Sequence, residues 1–173
     1  MSQDVFIAAG ARTPMGGLQG HLSSLTAVEL GEAAIRAVLA RANLEGGAVD
    51  EVIMGCVLPS GLRQGPARQA AIDAGIPVSV GATTINKLCG SGMKAAMLAF
   101  DQIKAGTNQI MVAGGMESMS RAPYLLPKVR TGLRMGHGEL QDAMFTDGLE
   151  DAKTGRLMGA FAQDVADQFQ VTR

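Results

Sequence analysis

The chain has 173 residues, is 47% hydrophobic and 18% charged, and carries a formal net charge of −1. That length fits one ordinary domain plus a remainder, and the charge balance gives no electrostatic grip on nucleic acid or an acidic membrane surface. Aromatic residues make up 3% and Trp is absent, so a core must be built from Ala, Val, Ile, Leu and 11 Met, while 23 Gly point to close backbone approaches.

The first element is Val5 to Ala9, a wholly apolar run that reads as a buried parallel strand. It is too short for the apolar core of a secretory signal, and no later run approaches the length of a membrane span. A cytoplasmic location is expected, with Cys56 and Cys89 both reduced. A Gly/Pro loop, Gly10 to Gly17, follows. Thr26 and Glu29 form a T-x-x-E capping box. The helix it opens runs to about Ala42, with Val28, Ile35, Val38, Leu39 and Ala42 on one face, and ends at Asn43 and Gly46-Gly47.

Val49 to Val57 predicts a second strand. Pro66 suits the first turn of a helix over roughly Ala67 to Ala74, stopped by Gly75. Val80 to Ile85 predicts a third strand. From about Gly90 to Lys104 the spacing of Met93, Ala96, Met97, Phe100 and Ile103 predicts another amphipathic helix, closed by Gly106. Gln109 to Ala113 predicts a fourth strand. Strict alternation of strand and helix argues an α/β fold: a mostly parallel sheet with helices on both faces. Residues 116 to about 155 then lose any sustained period, as an inserted or functional segment does. A last helix is expected near Leu157, Phe161, Val165 and Phe169, after which no terminal element closes the fold.

Chemistry concentrates at Cys89, in Ile85-Asn86-Lys87-Leu88-Cys89-Gly90-Ser91-Gly92-Met93-Lys94-Ala95. A thiol at a strand-to-helix junction faces unsatisfied backbone N–H groups and the positive end of the helix dipole. Gly90 and Gly92 leave room for an acyl group, and the same N–H groups could bind an oxyanion. A nucleophilic thiol also wants a base, usually His. His21 and His137 both lie in loops without a partner pattern and read as solvated. Cys56 ends an apolar strand and reads as inert core. The Met residues at 93, 97, 111, 116 and 119 read as core filling. No closely spaced Cys/His set suggests a metal, and the G-x-G at Gly90 is not the dinucleotide fingerprint. The polar segment after Gly114-Gly115 sits at the carboxyl end of a strand, the edge where open α/β sheets place ligands.

Taken together, several ordered segments resemble the thiolase family. They are Ala11-Arg12-Thr13-Pro14-Met15-Gly16, Val52 to Leu58, Pro66 to Ala71, the nucleophile motif around Cys89, and Ala113 to Ser120. The resemblance covers nearly the whole chain and implies the thiolase-like N-terminal half over residues 1–116, without its last strand. Residues 117–173 are implied to be the start of the irregular loop domain that covers coenzyme A. The implied activity is acyl transfer on coenzyme A, forming or cleaving 3-ketoacyl-CoA through an acyl-Cys89 intermediate, with no cofactor beyond coenzyme A thioesters as substrates. The family's activating histidine, second cysteine and asparagine are implied to lie in a C-terminal half, so a chain of this length is expected to be a truncated piece, inactive alone. Leu157-Met158-Gly159-Ala160 resembles a helix start at which Met158 packs near pantetheine, and Leu149 is implied to touch coenzyme A. Leu157 departs from the family's frequent histidine, Gln163 from glutamate and Asp164 from asparagine, which leaves the acyl chain length open. The implied partners are acyl-CoA and acetyl-CoA, with no nucleic acid and no membrane, in a homo-oligomeric (dimeric or tetrameric) full-length protein. Two other readings stand beside this one: a non-catalytic fragment serving as an assembly or binding module, and a ketoacyl-synthase-like condensing enzyme.

Overall fold

In a computed structural model, residues 4–173 are described, so the first three residues of the expected 1–116 unit lie outside the described residues. The chain divides into two units, one ending at Arg121 and one running from Ala122 to Arg173.

The first unit begins with the capping box. Thr26 Oγ1 accepts the Glu29 N–H at 3.2 Å and Glu29 Oε2 accepts the Thr26 N–H at 2.7 Å, so two orphan donors of helix α1 (Ala27–Ala42) are satisfied reciprocally. The helix stops where Asn43 turns left-handed, at φ 52°. Strand β1 (Glu51–Gly55) follows, then helix α2 (Pro66–Asp73), which starts with Pro at its first position, where the missing N–H costs nothing. Strand β2 (Gly81–Ile85), helix α3 (Ser91–Lys104) and strand β3 (Met111–Gly115) complete the unit.

All three strands are parallel, in the order β2-β1-β3. Side chains alternate across a strand, and β1 uses both faces. Val52, Met54 and Cys56 point into a core with Ile35 and Leu39 of α1 and Ala67, Ala70 and Ala71 of α2. Ile53 and Gly55 point the other way, towards α3, whose Ser91 closes directly on Gly55. Helices therefore cover both faces, and β1, filling the middle of the sheet, is buried from Val52 to Gly55. Burying Val52 and Ile53 this fully is worth about 1.5–3 kcal/mol each.

Two expectations are corrected here. Val5 to Ala9 forms no strand, and Phe6 and Ile7 are 83% and 95% exposed. Apolar character supplies a reason to be buried, but a strand exists only where a ladder partner pairs with it, and none of the three strands, in the order β2-β1-β3, pairs with this segment. The segment is tied down instead at its end, where Arg41 Nη1 donates to the Gly10 carbonyl at 2.6 Å. The second correction concerns α3. Its buried face is Ser91, Ala95 and Ala99, while Met93, Met97 and Phe100 are 73%, 53% and 47% exposed. Small residues let the helix lie against the sheet's glycines. Long side chains do not fit that gap and turn outward, so these two Met are not core filling in this unit. Met119 is likewise exposed, whereas Met116 is buried against Gly31.

At the opposite end of the sheet, Asp50 fixes the entry to β1. Its Oδ2 accepts the N–H groups of Gln109 at 2.7 Å and Ile110 at 2.9 Å. Those bonds, the Ile110 one first, hold its carboxyl below the usual carboxylate range. A depressed carboxylate contributes stability above its unfolded pKa of about 3.9 and loses it as pH falls through the lower folded value. Asp50→Asn is therefore expected to be less stable than the parent at neutral pH, the gap closing below about pH 4; urea unfolding across pH 2–7 measures it.

The second unit holds a short antiparallel pair, β4 (Tyr124–Leu125) with β5 (Gln141–Asp142), a π-helical turn over Phe145–Leu149, and helix α4 (Met158–Gln168). No sustained regular element occupies residues 126–140, in line with the absence of period there. No helix among the described residues is long and apolar enough to cross a membrane.

Candidate active site

The carboxyl ends of the three parallel strands gather the loops that hold Cys89, Cys56 and Glu117. The register explains why. Gly55 pairs with both Ile85 and Gly115, so the residues just beyond each strand share one edge of the sheet. Glycines bring the start of α3 down onto that edge. A Cβ on Gly55 would stand 2.5 Å from Ser91 Cβ, and one on Gly115 would stand 3.4 Å from Gly92 Cα.

Cys89 sits in the turn between β2 and α3, two residues before the first helical residue, and is exposed. Leu88, immediately before it, adopts φ 50°. A bulky residue in left-handed backbone is unusual, costs about 1–2 kcal/mol, and persists only where its surroundings over-determine it. Here they do. Asn86 Oδ1 accepts the Leu88 N–H at 2.9 Å, and Ser91 Oγ donates to the Leu88 carbonyl at 2.6 Å while accepting the Lys87 N–H at 2.8 Å. The Gly90 and Ser91 N–H groups donate to the Lys87 and Leu88 carbonyls at 3.1 and 3.0 Å. Those two amides are spent on the turn, so of the donors expected to greet an oxyanion, these are not available.

Cys56 is the opposite case. It is 1% exposed, and its thiol is pushed up to about 12, first by burial and then by the nearby Glu117 carboxylate, whose Oε1 lies 3.7 Å from Sγ. It stays a neutral thiol at ordinary pH, as its reading as inert core requires. Neither cysteine is in a disulfide. Under native conditions iodoacetamide is expected to label Cys89 alone, with Cys56 reacting only after unfolding; peptide mapping before and after denaturant checks this.

Glu117 carries a role that the sequence did not announce. Its carboxylate accepts the Val57 N–H at 2.7 Å and the Leu58 N–H at 3.1 Å, clamping the loop after β1 to the segment after β3. Its only sequence signal is the register: once Gly55 lies opposite Gly115, residue 117 falls beside residue 57.

His21 and His137 are both exposed. Leu149 and Met158 belong to the second unit, where the structure brings them together. An isolated antiparallel bridge joins Glu150 to Leu157, which sets Leu149 and Met158 at adjacent register positions. The turn between them is held by the Asp151 N–H to the Arg156 carbonyl at 2.9 Å. Arg156 in turn donates to Asp164 at 2.8 Å and lies over the Phe161 ring at 4.5 Å, fastening the turn to α4. Leu149 closes the π-helical turn, a geometry over-represented at functional sites. Met158, the first residue of α4, is 43% exposed.

The thiolase N-terminal domain family matches residues 5–173. An acetyl-CoA acetyltransferase of Pseudomonas aeruginosa is 52% identical over 171 residues, 99% of this chain and 44% of that protein. Acetyl-CoA acetyltransferase 2 of Arabidopsis thaliana is 53% identical over 171 residues, 99% of this chain and 42% of its own length. The crystal structure of a thiolase from Ascaris suum in complex with coenzyme A is similar with a TM-score of 0.92 at 39% identity, covering 98% of this chain and 44% of that one. The chain thus spans less than half the length of the relatives it matches.

Proposed function

Since the chain belongs to the thiolase family, through that family's N-terminal domain, we propose that it supplies the nucleophile of an acyl-CoA acyltransferase that forms or cleaves 3-ketoacyl-CoA. The observation that carries this reading is the contrast between its two thiols: Cys89 is exposed on a braced turn at the sheet's carboxyl edge, and Cys56 is buried and held neutral.

In the proposed reaction the Cys89 thiolate attacks the carbonyl carbon of an acyl-CoA. A new C–S bond forms, the C–S bond to coenzyme A breaks, and the released coenzyme A thiolate takes up a proton. In the synthetic direction the acyl-cysteine then meets the carbanion of acetyl-CoA, which forms the C–C bond of 3-ketoacyl-CoA and releases the Cys89 thiolate. In the degradative direction the Cys89 thiolate instead attacks the 3-keto carbon of a 3-ketoacyl-CoA, the C2–C3 bond breaks, the leaving acetyl-CoA carbanion takes up a proton, and coenzyme A thiolate then takes the acyl group from Cys89. The histidine, second cysteine and asparagine that serve these steps in the family are assigned to no residue here. Leu149 and Met158 are proposed to contact the pantetheine arm, because the Glu150–Leu157 bridge sets both at one place on the second unit. The binding partners proposed are acetyl-CoA and acyl-CoA, the assembly a homo-oligomer, and the compartment the cytosol, which suits two free thiols. The residues 1–116 are proposed as the catalytic α/β unit and 117–173 as the start of the loop domain.

The direct test is acetyl-CoA in excess, with intact mass and peptide mapping as readout. One acetyl group on Cys89 supports the proposal, and an unmodified Cys89 at saturating thioester defeats it for this chain. A second reading, an assembly module without turnover, is favoured by the exposed Met93, Met97 and Phe100 on α3. The two separate by whether acylation occurs at all.

A further inference from the structure

We propose that Asn86 is the positioning residue for Cys89, and that it works by bracing the Leu88 turn against the loop after β1. The proposal rests on reading Cys89 as the nucleophile, and deepens it. Asn86 uses both ends of its amide. Oδ1 accepts the Leu88 N–H at 2.9 Å, and Nδ2 donates to the Val57 carbonyl at 3.3 Å. Val57 is itself fixed from its other side, because its N–H donates to Glu117 at 2.7 Å. A continuous set of bonds therefore runs from the segment after β3, through the loop after β1, to the residue immediately before Cys89.

The chemistry of the side chain matters to this assignment. Only a group with an acceptor and a donor a few ångströms apart can serve both loops, and a side-chain amide is that group. A carboxylate keeps the acceptor for Leu88 and loses the donor to Val57. A methyl group loses both. With its N–H released, Leu88 at φ 50° is held only through its carbonyl by Ser91, so it is freer to relax and to turn Cys89 with it. A thiol that must meet a bound carbonyl in line is sensitive to such a rotation, whereas reaction with a small diffusing reagent needs exposure alone.

The test compares the 173-residue parent with Asn86→Ala and Asn86→Asp in three measurements: acylation of Cys89 by acetyl-CoA, alkylation of Cys89 by iodoacetamide, and amide hydrogen exchange at Leu88. For Asn86→Ala, Leu88 exchange is expected to rise and acylation to fall, each by about ten-fold, with alkylation within about two-fold of the parent. Asn86→Asp is expected to restore Leu88 protection and to acylate at an intermediate rate. Unchanged Leu88 exchange in Asn86→Ala overturns the proposal, and so does a fall in alkylation equal to the fall in acylation, the mark of general loosening. Should the parent itself take up no acetyl group, the nucleophile reading fails for this chain, and Leu88 exchange still decides whether Asn86 is the brace.

Discussion

Cys89→Ala is expected to lower covalent acylation of the chain by acetyl-CoA by about 10³-fold or more, to below detection. The size of the effect follows from what an alanine cannot do. A positioning residue can be lost with the reaction path intact, but removal of the atom that forms the bond removes the covalent path itself. No other thiol of this chain stands in, because Cys56 is 1% exposed and its thiol is pushed up to about 12, first by burial. Stability should hardly change, since Cys89 is exposed and substitutions at such positions are usually within about 0.5 kcal/mol. The informative combination is therefore an unaltered unfolding curve with no acetylated species in the mass spectrum. Acetylation persisting in Cys89→Ala would move the nucleophile elsewhere.

A large stability effect is expected at Gly55. A Cβ there would stand 2.5 Å from Ser91 Cβ, 2.7 Å from the Ser91 carbonyl carbon and 2.9 Å from the Gly92 nitrogen. Two of those three atoms are backbone at the start of α3, so no side-chain rotation relieves the clash and the helix must lift from the sheet. Gly55→Ala is expected to cost about 3 kcal/mol in urea unfolding. Gly31→Ala makes the control. Its closest atom is the Met116 sulfur, also at 2.5 Å, but a thioether can swing aside, which leaves the Ala70 and Met116 Cβ atoms at 3.3 Å to give by a few tenths of an ångström, and Ala is the better residue inside a helix. That variant should stay within about 1 kcal/mol of the parent. The same distance thus predicts two outcomes, and a comparable loss in both variants would refute the account of how α3 is seated. Because the Cys89 turn leads directly into Ser91, Gly55→Ala should also slow acylation.

Much of this architecture was legible in the residues. Thr26 and Glu29 announced the start of α1, Pro66 the start of α2, and the alternation of apolar runs with amphipathic ones announced a parallel sheet covered on both faces. These features are local: each is written in a few neighbouring residues. What was not legible was relational. Hydropathy marks Val5 to Ala9 as strand-forming, but whether a ladder partner pairs with it is not encoded in the segment itself. The apolar spacing of α3 is real, yet it does not say which of its faces meets the sheet. That was decided by Gly55, Gly92 and Gly115, which accept only small side chains opposite them. At the candidate site, Cys89 stood out by its setting between a strand and a glycine-flanked helix start. The bracing by Asn86, Ser91 and Glu117 stayed hidden, because Glu117 meets Val57 only through strand pairing.

The strand order has a consequence for how the chain reaches this state. The middle strand of the sheet comes first in sequence, so pairing grows outward from it. Gly55 meets Ile85 after one helical crossover and Gly115 only after two, which doubles the span of chain to be closed. Doubling a loop costs only about 0.6 kcal/mol of closure entropy, yet it orders events. During synthesis the β1–α2–β2 unit can close while β3 is still being made, and the loop after β1 gains its Glu117 clamp only when that late strand arrives.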